Sequence, residues 1–505
     1  MNRFKLFANK VLDKTFGKDS DHDVPRKELI RFTLGVFGQN NSCGFIGWFN
    51  YFCLFVIKFE PMLFGTLFTI VRIWDAVNDP IVGAIIDKHT FKNGERLRPY
   101  IKKLAIPIGI MVIFLFIDFG LSETIYMLLL IAVYMVYDFL YSFQDIAQWG
   151  MTALISQNPK ERARAAQIGR IGAMMGGWLP GIITLVIGVI ERNNMDVRPA
   201  FVVMAVILGF GGMVLSYSAS YAKERVPLAK KSTAKLSAFT ILFKNKIVLL
   251  VVLGSILGST TLVLQQITFF QYVLAENNIF GLEINGTTLS FIFGLLCGIP
   301  GSLCKPLAIY VARKLGGMRY ILLASIFFNI GFRFLAFFIG YEGWRLVLSG
   351  LCLTLVNIPA SMTDIAMTAL WGDSLDYLEW KTGERNDGTV FSMQNASAKI
   401  TGAISTFFMA LTLTILQFDA NLEQNQSPTF YKYAWPVFIL APMLGSILNL
   451  IPLLFIRYND KTKELLIKEL KRIRREREGL APLDLEFKYE LYDDDEFYEA
   501  KSLRW

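Results

Sequence analysis

Long apolar runs separated by short polar breaks dominate this chain. A membrane-crossing helix needs about 20 mostly apolar residues. Counting such runs predicts twelve spans, at 29–57, 61–86, 100–120, 124–154, 164–190, 199–221, 247–275, 287–312, 318–340, 345–371, 389–417 and 430–456. A polar stretch at 223–246 divides them six and six. The expected architecture is all-α and integral to the membrane: residues 1–222 form a six-helix bundle with a cytoplasmic arm, 223–246 a cytoplasmic central loop, 247–457 a second six-helix bundle, and 458–505 a cytoplasmic tail. Internal similarity supports the division. Gln144-Asp145-Ile146-Ala147 in span four is echoed by Thr363-Asp364-Ile365-Ala366 in span ten, and each is followed shortly by Met-Thr-Ala-Leu. Repeat-built transporters place substrate near the midplane, between the repeats.

Composition strengthens the membrane assignment, with 53% hydrophobic residues, 14% aromatic residues and a mean hydropathy of +0.43. Basic residues gather in alternate connections: the N-terminal arm, 88–99, 155–163, the central loop, and the loop with Arg313, Lys314 and Arg319. The positive-inside rule then puts both termini in the cytoplasm, in a multi-pass protein of the cell membrane. The first ~27 residues lack an apolar signal core, so the first span is expected to serve as its own signal. The net charge of +9 calls for no nucleic-acid partner, because its excess faces the anionic inner leaflet. The five cysteines form no CxxC pair, and His22 and His89 lie far apart, leaving no zinc signature. No metal-ligand His pair, serine elbow or nucleotide loop points to an enzyme. The tail, basic and amphipathic over 461–479 and acidic at 493–496, reads as a solvated segment near the inner leaflet.

The informative residues are the charges inside the apolar spans, each of which is costly at mid-bilayer unless it faces a bundle interior or a wet cavity. In span two, Asp75, Asn78 and Asp79 stand at i, i+3 and i+4 and share one helical face. Two carboxylates and an amide suit sodium, or a proton held by one carboxylate. Arg72, one turn away, is placed to neutralise Asp75 when no cation is bound. The competing reading is a charge cluster that only fixes helix contacts. Span four offers Ser142, Asp145 and Trp149 on one side, the hydroxyl, carboxylate and indole with which a cavity holds a sugar. The alternative there is an interfacial tryptophan with an unrelated helix-pairing aspartate. Asp364, Asp373 and Asp376 lie along span ten and Lys399 in span eleven, with Glu379, Lys381 and Arg385 following span ten. Asp373, Asp376, Glu379 and Arg385, together with Arg72, are gating candidates, the outer ones as a cytoplasmic salt-bridge latch, with a solvated loop as the alternative for Glu379 and Lys381. Lys399 and Asp364 are candidates to reach the cavity.

The run Arg72-Ile73-Trp74-Asp75 through Asn78-Asp79-Pro80, then Gly83, Asp87, Gly94 and Arg98-Pro99, together with Asp373-Ser374-Leu375-Asp376-Tyr377-Leu378-Glu379-Trp380-Lys381, resembles the glycoside-pentoside-hexuronide:cation symporter family. Gly83 to Asp87 also resembles the loop signature of the wider major facilitator superfamily. The resemblance implies the major facilitator fold, and a sodium, lithium or proton site at Asp75, Asn78 and Asp79. Ser142 stands where the family's best-known permease has threonine. It further implies sugar contacts from Asp145, Trp149 and Arg170, with Lys399 coupling the two sites, and no cofactor beyond the coupling cation. Two departures matter: Asn40 stands where that permease has a sugar-binding aspartate, and Asp364 where it has a tryptophan. Its galactoside preference therefore does not carry over. Partners implied are a small sugar, glycoside or uronide, the cation and membrane lipid. A cation-coupled lysolipid transporter of the same fold and a non-transporting membrane sensor are the competing functions.

Overall fold

The computed structural model describes residues 23–89, 91, 94–193, 195–225, 246–279, 282–382, 387–422, 424–455, 466 and 469–470, with backbone alone at some helical positions. The N-terminal arm, most of the central loop and nearly all of the tail lie outside the described residues. Among those described, eight helical stretches are long and apolar enough to cross a membrane: Glu123–Thr152, Arg164–Arg192, Arg198–Tyr221, Gly286–Leu307, Met318–Ile339, Arg345–Met367, Ala396–Ile415 and Pro428–Leu454. The chain is therefore a multi-pass, helical membrane protein.

The helices that build the interior are α1 (Arg26–Ile46), α2 (Pro61–Lys88), α3 (Arg98–Leu115), α4 (Glu123–Leu154), α5 (Pro159–Trp178) and α6 (Ile183–Arg192). After Arg198–Met204 the chain runs through a π-helical turn, Ala205–Phe210, into α7 (Gly211–Ser216). Beyond the central loop come α8 (Lys246–Ser259), α9 (Gln266–Val273), α10 (Gly286–Cys304), α11 (Met318–Ile339), α12 (Arg345–Thr382), α13 (Asp387–Ile415) and α14 (Pro428–Leu454). One connection departs from the all-α expectation: Glu276–Ile279 pairs antiparallel with Leu282–Asn285, Glu276 opposite Asn285. This polar segment lies between spans, where strand pairing satisfies its backbone.

Helix ends and breaks follow from local chemistry. Glu60 caps α2, accepting from the backbone N–H of Met62 at 3.0 Å and Leu63 at 2.5 Å, with Pro61 at the first helical position. The N-terminus of α3 is held by Glu224, whose carboxylate accepts from the backbone N–H of Arg96, Leu97 and Arg98. An anion there also meets the positive end of the helix dipole. Between α8 and α9 the helix opens, and the freed Val263 N–H donates to Thr412 Oγ at 2.9 Å. Pro442 in α14 deprives the Phe438 carbonyl of its donor, and the Arg333 Nη1 of α11 supplies one at 3.2 Å.

Close approach needs small residues. A Cβ on Gly212 would stand 2.6 Å from the Gly38 carbonyl oxygen, so glycine at that position lets α7 lie against α1. Gly65 likewise meets Ala410 and lets α2 and α13 run side by side, antiparallel.

Four apolar clusters form the core. One mixes residues from both sides of the central loop, with Phe55 packed on Phe418 (centroids 5.4 Å) and Tyr272 (6.0 Å). Two more draw only on residues after the loop and one only on residues before it. The two parts of the chain are thus sealed together by aromatic rings at one end, the end that also carries Glu191.

Candidate functional site

The charged residues of span two face inward. Asp75 and Asn78 are buried, while their neighbours Ile73, Trp74 and Val77 are exposed, so the polar stripe of α2 turns to the protein and the apolar one away from it. Lys399 of α13 reaches this stripe across the close α2–α13 contact. Its ammonium pairs with Asp75 Oδ1, stands 2.6 Å from Asp79 Oδ2 and donates to the Asp75 carbonyl at 3.2 Å. The far oxygen of Asp79 accepts from Ser142 Oγ of α4 at 2.8 Å. Asn78 lies between, its Nδ2 3.3 Å from Ser142 Oγ and 3.4 Å from Asp138 Oδ2. All four expected cation-site residues, Asp75, Asn78, Asp79 and Ser142, are brought together.

Arg72 belongs to the same group. Its Nη1 is 3.9 Å from Asp75 Oδ2, and its guanidinium lies over the rings of Phe68 (5.1 Å) and Tyr134 (5.5 Å). Cation–π contact of this kind holds a guanidinium inside an apolar bundle. Arg72, also a gating candidate, therefore has its contacts in the cation cluster. Glu379 is buried and Asp376 half-buried. The side chains of Asp364, Asp373 and Arg385 lie outside the described residues.

Next to this cluster stands a second group. Asp145 follows Ser142 by three residues on α4, about 4.5 Å along the axis. Its Oδ1 accepts from Gln39 Nε2 of α1 at 2.9 Å. Trp149, one further turn along α4, is half-buried, and the exposed Arg170 of α5 places its guanidinium 5.9 Å from the indole ring. Asn40 turns its amide back on its own helix, donating to the Val36 carbonyl at 2.9 Å. Lys399, expected among the substrate contacts, has its direct contacts with the carboxylates of α2.

Three features escaped the sequence reading. Asp138 is buried in the cluster, and its position four residues before Ser142 on the same face of α4 was a legible signal, as an acid in an apolar span. Gln39 is fully buried and orients Asp145; nothing in its sequence context marks it. At the aromatic end, Glu191 Oε1 accepts from Gln271 Nε2 at 2.7 Å and its Oε2 from Thr287 Oγ at 2.7 Å, while Gln271 Oε1 accepts from Tyr51 at 2.7 Å. That chain of hydrogen bonds crosses between the two parts of the molecule.

Comparison with known proteins fits this geometry. The family model described as MFS/sugar transport protein matches residues 32–460, most of the chain. The chain belongs to this family. It is a major facilitator protein of the glycoside-pentoside-hexuronide type, and a transporter rather than an enzyme. The chain is similar to the isoprimeverose transporter of Lactiplantibacillus pentosus, 25% identical over 484 residues, covering 91% of this chain and 94% of that one. A putative sulfoquinovose importer of Escherichia coli is 24% identical, covering 89% and 96%. The lactose permease of Lactobacillus delbrueckii subsp. bulgaricus is 24% identical, covering 76% of this chain and 63% of the permease. Among solved structures, a nucleoside transporter, NupG, superposes with a TM-score of 0.55 at 15% identity, covering 86% of this chain and all of that one. A D-xylose-proton symporter superposes at 0.53 and 13%, covering 84% and 96%. These likenesses show the fold.

Proposed function

We propose that this protein is a secondary symporter of the cell membrane that carries a sugar, glycoside or uronide inward, coupled to a sodium or proton gradient. Twelve spans in two six-helix halves would rock about the site, with both termini in the cytoplasm. The observation that carries the reading is the Lys399 ammonium bridging Asp75 and Asp79 while Asp79 shares Ser142 with the helix that bears Asp145 and Trp149. An ammonium on two carboxylates occupies the position of a small cation. A cation arriving there displaces or redirects it, and α4 carries the change to the sugar group one turn away. Asp145 and Gln39 offer acceptors and donors for hydroxyl groups, and the Trp149 face suits the apolar side of a ring. This polar lining favours a hydroxylated solute over an acyl chain. Coupling by such a route is reciprocal, so sugar tightens cation binding by the factor with which cation tightens sugar binding.

The Phe55–Tyr272–Phe418 packing and the Glu191 hydrogen bonds lie at the end that charge distribution assigns to the outside. The conformation is accordingly read as closed outward. Uptake of labelled lactose, isoprimeverose and sulfoquinovose into membrane vesicles, under imposed sodium or proton gradients, tests the proposal. Accumulation of one of them against its gradient is expected. Uptake that merely equilibrates, with either ion, would overturn it.

A further inference from the structure

Glu191 is an acid that neither the cation cluster nor the sugar group uses. It follows Gly188 by three residues on α6, and a Cβ on Gly188 would stand 2.5 Å from Thr288 Oγ1, so glycine lets the outer end of α6 lie on the first turn of α10. That approach sets Glu191 between Gln271 of α9 and Thr287 of α10. On the Gln271 side the hydrogens are accounted for. Tyr51 donates to Gln271 Oε1, and Gln271 Nε2 donates to Glu191 Oε1, both at 2.7 Å. The carboxylate's own contacts are met on the other side too, but the next link is one hydrogen short. Thr287 is fully buried, with its Oγ 2.7 Å from Glu191 Oε2 and also against Asn285 Oδ1. Asn285 caps α10, and because its Oδ1 accepts the backbone N–H of Thr287 at 2.8 Å, that end of the amide is the oxygen. A hydroxyl with one hydrogen therefore faces two acceptors. With Glu191 ionised, Thr287 serves one of them and leaves two oxygen lone pairs in contact at the other. A hydrogen on Glu191 Oε2 removes the conflict: Oε2 donates to Thr287, and Thr287 donates to Asn285. The hydrogen bonds then run in one direction, from Tyr51 through Gln271, Glu191 and Thr287 to Asn285.

We propose that Glu191 Oε2 is a proton-binding site of the outer seal, so that closing the outer end takes up one proton and opening it releases one. The inference rests on the alternating-access reading and adds a control that acts whichever ion drives transport. When α6 and α10 part, Glu191 loses Gln271 and Thr287, meets outer water and gives it the proton; only the O–H bond changes. Among the described residues no cation balances this carboxylate. The groups facing it are Tyr51 near the outer end of the first span, with Tyr272 of α9 beyond Tyr51, Gln271 of the same helix, and Asn285 and Thr287 at the start of α10. Arg192, next on its own helix, is exposed and forms no ion pair with it, and the side chains of Glu276 and Glu283 on the hairpin lie outside the described residues. The sealed form holds one proton more than the open form, so acid favours sealing and alkali favours opening.

The test needs neither sugar nor gradient. Spin labels on the outer ends of α6 and α10, in the full-length protein in lipid nanodiscs, read the sealed and open populations by their separation. The open-to-sealed ratio is expected to rise with pH, by up to about tenfold per pH unit over the range where the proton is exchanged. Glu191→Gln, whose amide donates to Thr287 as the acid would, should stay sealed and stop responding to pH. Thr287→Val removes the hydroxyl that receives the proton, and should move the half-open point to lower pH. A wild-type ratio that ignores pH overturns the proposal. So does a response that survives unchanged in Glu191→Gln, or a half-open point unmoved in Thr287→Val; if one variant fails to fold, the other decides. Failure of the symporter reading shows elsewhere, as vesicle uptake that merely equilibrates while the outer end still follows pH, a result that supports the Glu191 site and defeats the symporter reading alone.

Discussion

The Asp75–Asp79–Lys399 cluster and the Glu191–Gln271–Tyr51 chain both join the residues before the central loop to those after it, yet they are built on opposite principles. Around Glu191 each carboxylate oxygen has a neutral donor at 2.7 Å, and aromatic rings pack beside it. Such hydrogen bonds are worth about 1 kcal/mol each in net terms. They are satisfied as they stand, and they can break and re-form in every transport cycle at modest cost. Around Asp75 the contacts are charged, one acceptor has no partner and the acids outnumber the bases. Separating buried charges costs several kcal/mol unless another charge takes their place. On the symporter reading proposed above, the satisfied junction is the latch and the charged one the place of the coupling ion.

The largest effect is expected from breaking the charged junction. Asp79→Cys should abolish gradient-driven accumulation while the protein stays in the membrane, because it removes one of the two carboxylates that hold the Lys399 ammonium and the acceptor of Ser142; a loss of about 3 kcal/mol in the coupled step is roughly 100-fold in transport. Vesicle uptake measures it, and unchanged active uptake would show the α2 acids to be structural. A smaller change is expected from Gly212→Leu, whose side chain cannot fit against the Gly38 carbonyl oxygen. Overpacking of this kind costs about 1–3 kcal/mol, read as a lower thermal midpoint in detergent, and an unchanged midpoint would mean that α1 and α7 part freely.

Gln271→Ala should sharpen the contrast from the other side. Loss of two hydrogen bonds shifts the balance toward the outward-open form by about 1–2 kcal/mol, roughly 5- to 30-fold in population. Spin labels placed on the outer ends of α6 and α10 would report the wider separation, and no change in their distance would remove the latch role. Least of all, Glu28→Gln weakens the pair with Arg225, whose Nη2 is 2.6 Å from Glu28 Oε2. That hydrogen bond holds the Arg225 guanidinium above its usual value, so the pair's contribution is complete at neutral pH and is lost only as pH rises past the ordinary arginine range. The guanidinium is partly exposed, so about 1 kcal/mol or less is expected in thermal stability, with transport unaltered.

Much of the candidate site was legible in the sequence. The i, i+3, i+4 spacing of Asp75, Asn78 and Asp79 fixes a shared face on any helix, and an apolar span obliges that face to turn inward; both hold in the structure. The place of Asp145 one turn from Ser142 follows from the same periodicity, whereas the pairing of Ser142 with Asp79 joins two helices and was implied only by the resemblance. Asp138 was equally available to that logic, since it precedes Ser142 by one turn. Gln39 was not, because a neutral amide in an apolar helix carries no cost large enough to demand explanation.

What the sequence by itself determined is whatever depends on spacing along one helix and on the cost of charge in lipid: the multi-pass apolar pattern, the inward polar stripe of α2 and the placing of Ser142, Asp145 and Trp149 on one side of α4. The tertiary structure alone decided which helices touch. Gly65 and Ala410 set the approach of α2 to α13, and only that approach puts Lys399 on Asp75 and Asp79. It likewise brought Asp138 to Asn78 and Glu191 to Gln271. Contacts between residues hundreds of positions apart depend on packing distances of a few tenths of an ångström, and no periodicity along the chain encodes those.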